Sequence, residues 1–191
     1  MRRRPVVISA MAGCAAILLA ACASSSSSVP SSSSSAPATG PTAAPAPPVR
    51  APAAADNFDS CSVVTSAEAA SALGQAVTSG VLGKATIEGG LACVFYGPSA
   101  PTPRDPNVSQ ADSVRVVVVR GPKALAWYQD YKSKVSAQPE SGYGDQAYYD
   151  GYASLSILKG DYYLRVAVIP GGAPPSLTAE EQLARAILPK L

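Results

Sequence analysis

Between residues 23 and 55 the chain holds ten Ser, ten Ala and seven Pro among 33 residues, with Arg50 as the one charge. Such a stretch cannot bury enough apolar surface to offset the entropy of ordering its backbone, so it is expected to stay disordered. It divides the 191 residues into a leader at 1–21, a linker at 22–55 and one folded domain at 56–191. The domain is long enough for a real core of its own. As a coil the linker spans about 30 Å and more where its prolines extend it, which suits a tether. A glycosylated stalk is the alternative, since Ser/Thr/Pro-rich segments accept sugars.

The leader has a basic start, Met1-Arg2-Arg3-Arg4-Pro5, and then an apolar run from Val6 to Ala21. That is the pattern of a bacterial export signal. As a helix the run covers only about 24 Å, short of the ~30 Å hydrocarbon core, which argues against a spanning helix. The run ends in Leu19-Ala20-Ala21-Cys22, which resembles the lipobox of bacterial lipoproteins. The resemblance implies diacylglyceryl transfer to the Cys22 thiol and cleavage before it. Two acyl chains or more give stable anchoring where one is marginal. The expected location is the extracytoplasmic face of the cell membrane. An ordinary secretory signal with an incidental cysteine is the competing reading.

Charge and cysteine usage then bound the domain. Of 15 Lys and Arg, Arg2, Arg3, Arg4 and Arg50 lie outside it, leaving 11 against 13 Asp and Glu. A basic nucleic-acid footprint is therefore missing. The chain has no histidine, which excludes Ser-His-Asp and Cys-His catalysis and the usual zinc-protease motifs. No sequence feature calls for a cofactor or a metal. Cys14 falls in the leader and Cys22 at the anchor, so Cys61 and Cys93 remain, and an exported setting predicts their pairing. A reactive thiol is the alternative, without a Cys-x-x-Cys pair or a histidine base to support it.

Along the domain, Thr65-Ser66-Ala67-Glu68 reads as a capping box opening a helix over 66–73 that Gly74 ends. Weaker strands are expected at 75–82 and 92–96. Four prolines mark 97–111 as a long connection, in which Asn107-Val108-Ser109 fits a glycosylation acceptor pattern only incidentally. Ser113–Gly121 is the clearest strand, β-branched and apolar on both faces in its second half, and so expected at the sheet centre. Pro122 predicts a helix start, with a helical stripe running to about Val135. Pro139 and the glycines of Ser141–Gln146 read as a loop. Strands follow at 146–150, 152–159 and 162–169, broken at Asp150-Gly151 and at Gly160-Asp161 by hairpin chemistry. Thr178–Glu181 reads as a second capping box that opens a last helix. The sum is an α+β domain: one mostly antiparallel sheet of about six strands, two or three helices packed on it, and one disulfide.

Asp59–Gly74, Gly89–Gly97, Ser141–Tyr149 and the final Leu183–Leu191 together are similar to actinobacterial lipoproteins carrying the domain of unknown function 3558. The resemblance spans nearly the whole domain through short motifs. It implies the cysteine pair Cys61 and Cys93, the lipid anchor and a cell-envelope setting, and it carries no catalytic residues.

Six of the nine tyrosines lie between Tyr143 and Tyr163. Aromatic clusters stack on sugar rings, so Tyr143, Asp145, Tyr148 and Tyr152 are the candidate ligand-binding residues, although tyrosine is also common on half-buried strands. Gly142–Asp145 resembles a phosphate loop only superficially and reads more simply as a glycine turn. Asp145, Asp150 and Asp161 are expected near one sheet end, where a carboxylate pair could do acid–base work, yet all three sit at turns. Asp56, Asn57 and Asp59 could be calcium ligands but suit a solvated domain edge. The leading expectation is a non-enzymatic, membrane-anchored domain that binds a small molecule or cell-wall ligand, or acts as a sensor. Its rivals are an adaptor or assembly factor for another exported protein, and an envelope enzyme using paired carboxylates.

Overall fold

A computed structural model describes residues 56–191; the leader, Cys22 and the linker lie outside the described residues. The elements are α1 (Ser66–Leu73), β1 (Val81–Ala85), β2 (Gly90–Tyr96), β3 (Ser113–Arg120), α2 (Ala124–Lys132), β4 (Gln138–Glu140), β5 (Gln146–Tyr149), β6 (Leu155–Lys159), β7 (Tyr162–Ile169) and α3 (Leu177–Ile187). All strands join one sheet in the order β1-β2-β3-β7-β6-β5-β4, and every neighbouring pair is antiparallel. The fold is α+β with three α-helices; its seven strands are one more than expected.

Strands β3 and β7 lie at the middle of the sheet because both of their faces are buried. Val114, Val116 and Val118 meet Leu164, Val166 and Val168 on one face, covered by Ala69 and Leu73 of α1 and Leu183, Ala184 and Ile187 of α3. Val117, Val119 and Tyr163 face the other way, under Ala124, Tyr128 and Tyr131 of α2. The Cys61–Cys93 disulfide, with Cα atoms 4.9 Å apart, pins the turn before α1 to β2. Closing a 32-residue separation stabilises the fold by about 3–4 kcal/mol through loop-closure entropy.

The first capping box forms as expected. Glu68 N–H donates to Thr65 Oγ1 at 3.2 Å, Thr65 N–H donates back to Glu68 Oε2 at 2.8 Å, and Gly74 closes the helix at φ 74°. The second does not form: the helix starts at Leu177 after Ser176, which makes no side-chain cap. Leu177 packs against the core, which draws Thr178 into the first turn. The first strand is Val81–Ala85 rather than 75–82, because Thr78 Oγ1 accepts the Tyr96 N–H that a longer ladder would need. Helix α2 ends at Lys132, short of Val135. A strand that Pro139 had argued against is present as β4, three residues at the sheet edge, where a missing N–H costs no ladder bond. Asp150-Gly151 is not a two-residue hairpin: residues 150–154 form a longer turn between β5 and β6.

Candidate functional site

The tyrosine and aspartate candidates do not share a surface. Tyr143 is buried on the α3 side of the sheet, where its hydroxyl accepts from Arg185 Nη2 at 2.7 Å and the guanidinium lies 4.6 Å from its ring centre. Tyr148 is buried on the α2 side, edge-on to Tyr128 at 5.1 Å. Alternation along β5 sends Tyr148 to the α2 side while its neighbour Ala147 joins the α3-side core, whereas Tyr143 lies before the strand and packs on the α3 side. Asp145 closes a turn, its Oδ2 accepting the Gly160 N–H at 2.6 Å. Tyr152 is 71% exposed in the 150–154 turn. Asp145 precedes β5 and Asp150 follows it, so Asp150 is at the opposite sheet end from Asp145, not grouped with it.

A buried charge network was not foreseen. Glu88, in the turn joining β1 to β2, folds over the α2-side face with no exposed surface. Its carboxylate takes Arg115 Nη1 at 2.7 Å and Nη2 at 3.0 Å in a bidentate pair, and Arg165 Nη1 as well. Arg115 also donates from Nε to Pro106 O at 2.9 Å. Arg165 donates to Ser154 Oγ at 2.9 Å and Tyr131 Oη at 2.5 Å, and its guanidinium lies 4.1 Å from the Tyr131 ring centre. Burial opposes ionisation of Glu88, but the hydrogen bonds and charges of Arg115 and Arg165 outweigh it and hold its carboxyl below the ordinary glutamate value. Asp150 is spent in the same region: its Oδ1 accepts the N–H groups of Tyr152, Ala153 and Ser154 at 2.9, 2.8 and 3.0 Å. Burial alone would raise its pKa, but the Ser154 hydroxyl and these amides outweigh it and hold it below the ordinary aspartate value. The guanidiniums and carboxylates satisfy one another, so the network fastens loops to the sheet and offers no free group to a ligand.

Glu180, on α3, is the opposite case. It has no exposed surface; Oε1 accepts the Val168 N–H at 3.3 Å and Oε2 has no partner. Burial raises its pKa to about 8, helped by the nearby Asp150 charge and opposed by the Val168 amide and Arg165. Asp150 and Glu180 are thus pushed apart in the way an acid–base pair would be. Glu180, however, lines neither of the two depressions described below.

The acidic N-terminal cluster is occupied locally. Asp56 accepts the N–H of Asn57 and of Arg120, each at 2.9 Å, and Asp59 caps Cys61 N–H at 2.8 Å. Among the described residues no group of three or more His, Cys, Asp or Glu is placed to hold a metal ion. Two surface depressions have volumes of about 120 Å³, between α1 and α3, and about 220 Å³, beside Val77, Tyr96 and Arg104. Both fall below the ~300–1,000 Å³ of sites that enclose a drug-sized molecule.

The two sheet edges differ. β4 is three residues long with Pro139 at its centre, which blunts it against further pairing. β1 is five residues long, pairs only with β2, and has no described strand beyond it. Val81 and Leu82 on it are 41% and 43% exposed, and Lys84 is exposed beside them. At the far end Thr86 N–H is already taken by Asn107 Oδ1 at 2.8 Å, which limits the open edge to β1 itself. This edge was missed because the strand had been expected to lie further upstream. No family model, curated protein or solved structure matches the chain.

Proposed function

We propose that this chain is a lipid-anchored protein of the cell envelope, attached through Cys22, whose domain acts without catalysis by pairing the open β1 edge with another protein chain. The contrast between the two edges carries this reading. An edge strand with unpaired backbone groups and half-exposed apolar side chains is a template for strand addition, and native proteins usually guard such edges with charge, proline or a covering loop. Here β4 has its proline, whereas β1 has Lys84 and meets the 97–111 loop at Gly83, under Pro106, and just past its end at Thr86, leaving Val81 and Leu82 exposed. The small-molecule reading is the weaker one on this geometry, since Tyr143 and Tyr148 are consumed in opposite cores and the two depressions described among residues 56–191 are small. The resemblance of Leu19–Cys22 to a lipobox and the Ser/Ala/Pro-rich sequence at 23–55 support the setting, a domain tethered near a membrane.

The test places a photo-crosslinking amino acid at Leu82, and in a second chain at Gln138 on the β4 edge, in the full chain expressed in a lipoprotein-processing bacterium. Protein adducts from position 82 and few from 138 are expected. A chain that stays folded but gives no protein adduct at 82 would remove the proposal.

A further inference from the structure

We infer that the chain pairing with β1 is β1 of a second copy, so that two domains form one continuous antiparallel sheet across a two-fold axis midway between Gly83 and its copy. This rests on the edge-pairing reading above and specifies its partner.

Edge chemistry and pairing geometry support it. A sheet with two open edges can grow head to tail without limit, whereas a sheet with one open edge can only close on itself. Pro139 and the three-residue length of β4 remove the second edge, so association through β1 stops at two. A two-fold axis normal to the sheet keeps each face continuous, and opposed residues in an antiparallel pair share a face. One residue must therefore face its own copy, with the axis midway between the two. Only Gly83 as centre pairs all five residues Val81–Ala85 with their copies: Val81 opposite Ala85, and Leu82 opposite Lys84.

The side chains suit that register. Gly83 puts no side chain on the axis, and on the α2-side face Pro106 already fills the space above it, since a Cβ there would come 2.6 Å from the proline. Leu82, 43% exposed, lies on the face that carries Cys93, its partner on β2. The aliphatic stem of the facing Lys84 can cover it while the ammonium reaches water. The two lysines are offset across the axis and do not oppose each other. A centre at Lys84 would set them directly opposite, which is unfavourable.

The experiment co-expresses two differently tagged full chains in the same membrane, each carrying the photo-crosslinker at Val81. It is run with Leu82 unchanged and with L82K and L82E. An adduct containing both tags is expected. L82K should cut its yield about tenfold by facing Lys84 with a like charge, and L82E should preserve or raise it by facing Lys84 with an opposite one. Equal effects of L82K and L82E would overturn the register and with it the dimer. Adducts only to a different protein would overturn the dimer and leave the edge-pairing reading standing. No protein adduct from a folded chain would overturn both.

Discussion

Replacing Glu180 with Gln should flatten the alkaline side of the stability–pH curve. Glu180 sits in the α3–sheet interface with Oε1 on the Val168 N–H and Oε2 unpartnered. Burial is the main cause that raises its pKa from 4.5 to about 8. The folded state therefore prefers the protonated acid, while the unfolded chain ionises near its ordinary value. The contribution to stability is fully present below pH 4.5 and declines as pH rises to about 8. Within that window the slope is about 1.4 kcal/mol per pH unit, giving a total near 5 kcal/mol as an upper figure and roughly 3 kcal/mol already lost at pH 7. Glu180→Gln keeps the shape and removes the titration. Any cost of seating the amide NH₂ is independent of pH and shifts the whole curve without changing its slope. Glu88 and Asp150, both held below their ordinary values, contribute stability that is lost at acid pH, and they do so equally in both proteins. Urea unfolding followed by Trp127 fluorescence at intervals from pH 5 to 9 gives the difference. The wild type should lose several kcal/mol relative to E180Q between pH 5 and 8. Parallel curves over that range would refute the claim that the buried carboxyl titrates there.

Glu88→Gln should destabilise the domain by about 3–5 kcal/mol, read from the same urea curves, because it leaves the Arg115 and Arg165 guanidiniums buried without their counter-charge. Gly89→Ala should cost about 2 kcal/mol or more by thermal or urea unfolding: the residue has φ 76°, and its Cβ would land 1.9 Å from the Trp127 indole. Changing Cys61 and Cys93 together to Ala should lower stability by about 3–4 kcal/mol, and a loss below 1 kcal/mol would mean that the unfolded chain is already compact around that loop. Cys22→Ala should release the chain from the membrane fraction and abolish lipid labelling; a variant that remains lipid-labelled refutes the anchor at Cys22.

The parts of this domain that were readable in advance are those whose cause is local. The valine run of β3 announces a strand buried on both faces, and Thr65 with Glu68 announces a helix start, because each signal and its structural answer lie within one turn or one strand. Tyr143 and Tyr148 suggested a shared site because they are close in sequence, but Tyr148 is turned to the α2 side by alternation along β5 while Tyr143, in the turn before that strand, packs into the α3-side core. Glu88, Arg115 and Arg165 are separated by tens of residues and become a cluster only once β3 and β7 lie side by side, with Val117 opposite Arg165, and the β1–β2 turn folds back over them. The same holds more strongly for the β1 edge. Val81 and Leu82 look like ordinary strand residues, and what makes them unusual is that no described strand follows them in the sheet. Proline in β4 has the opposite reading in sequence and in space: along the chain Pro139 suggested a loop, yet at the sheet margin it closes one edge. With that edge closed, pairing through the open one leads to a closed pair, whereas two open edges would permit a growing fibre.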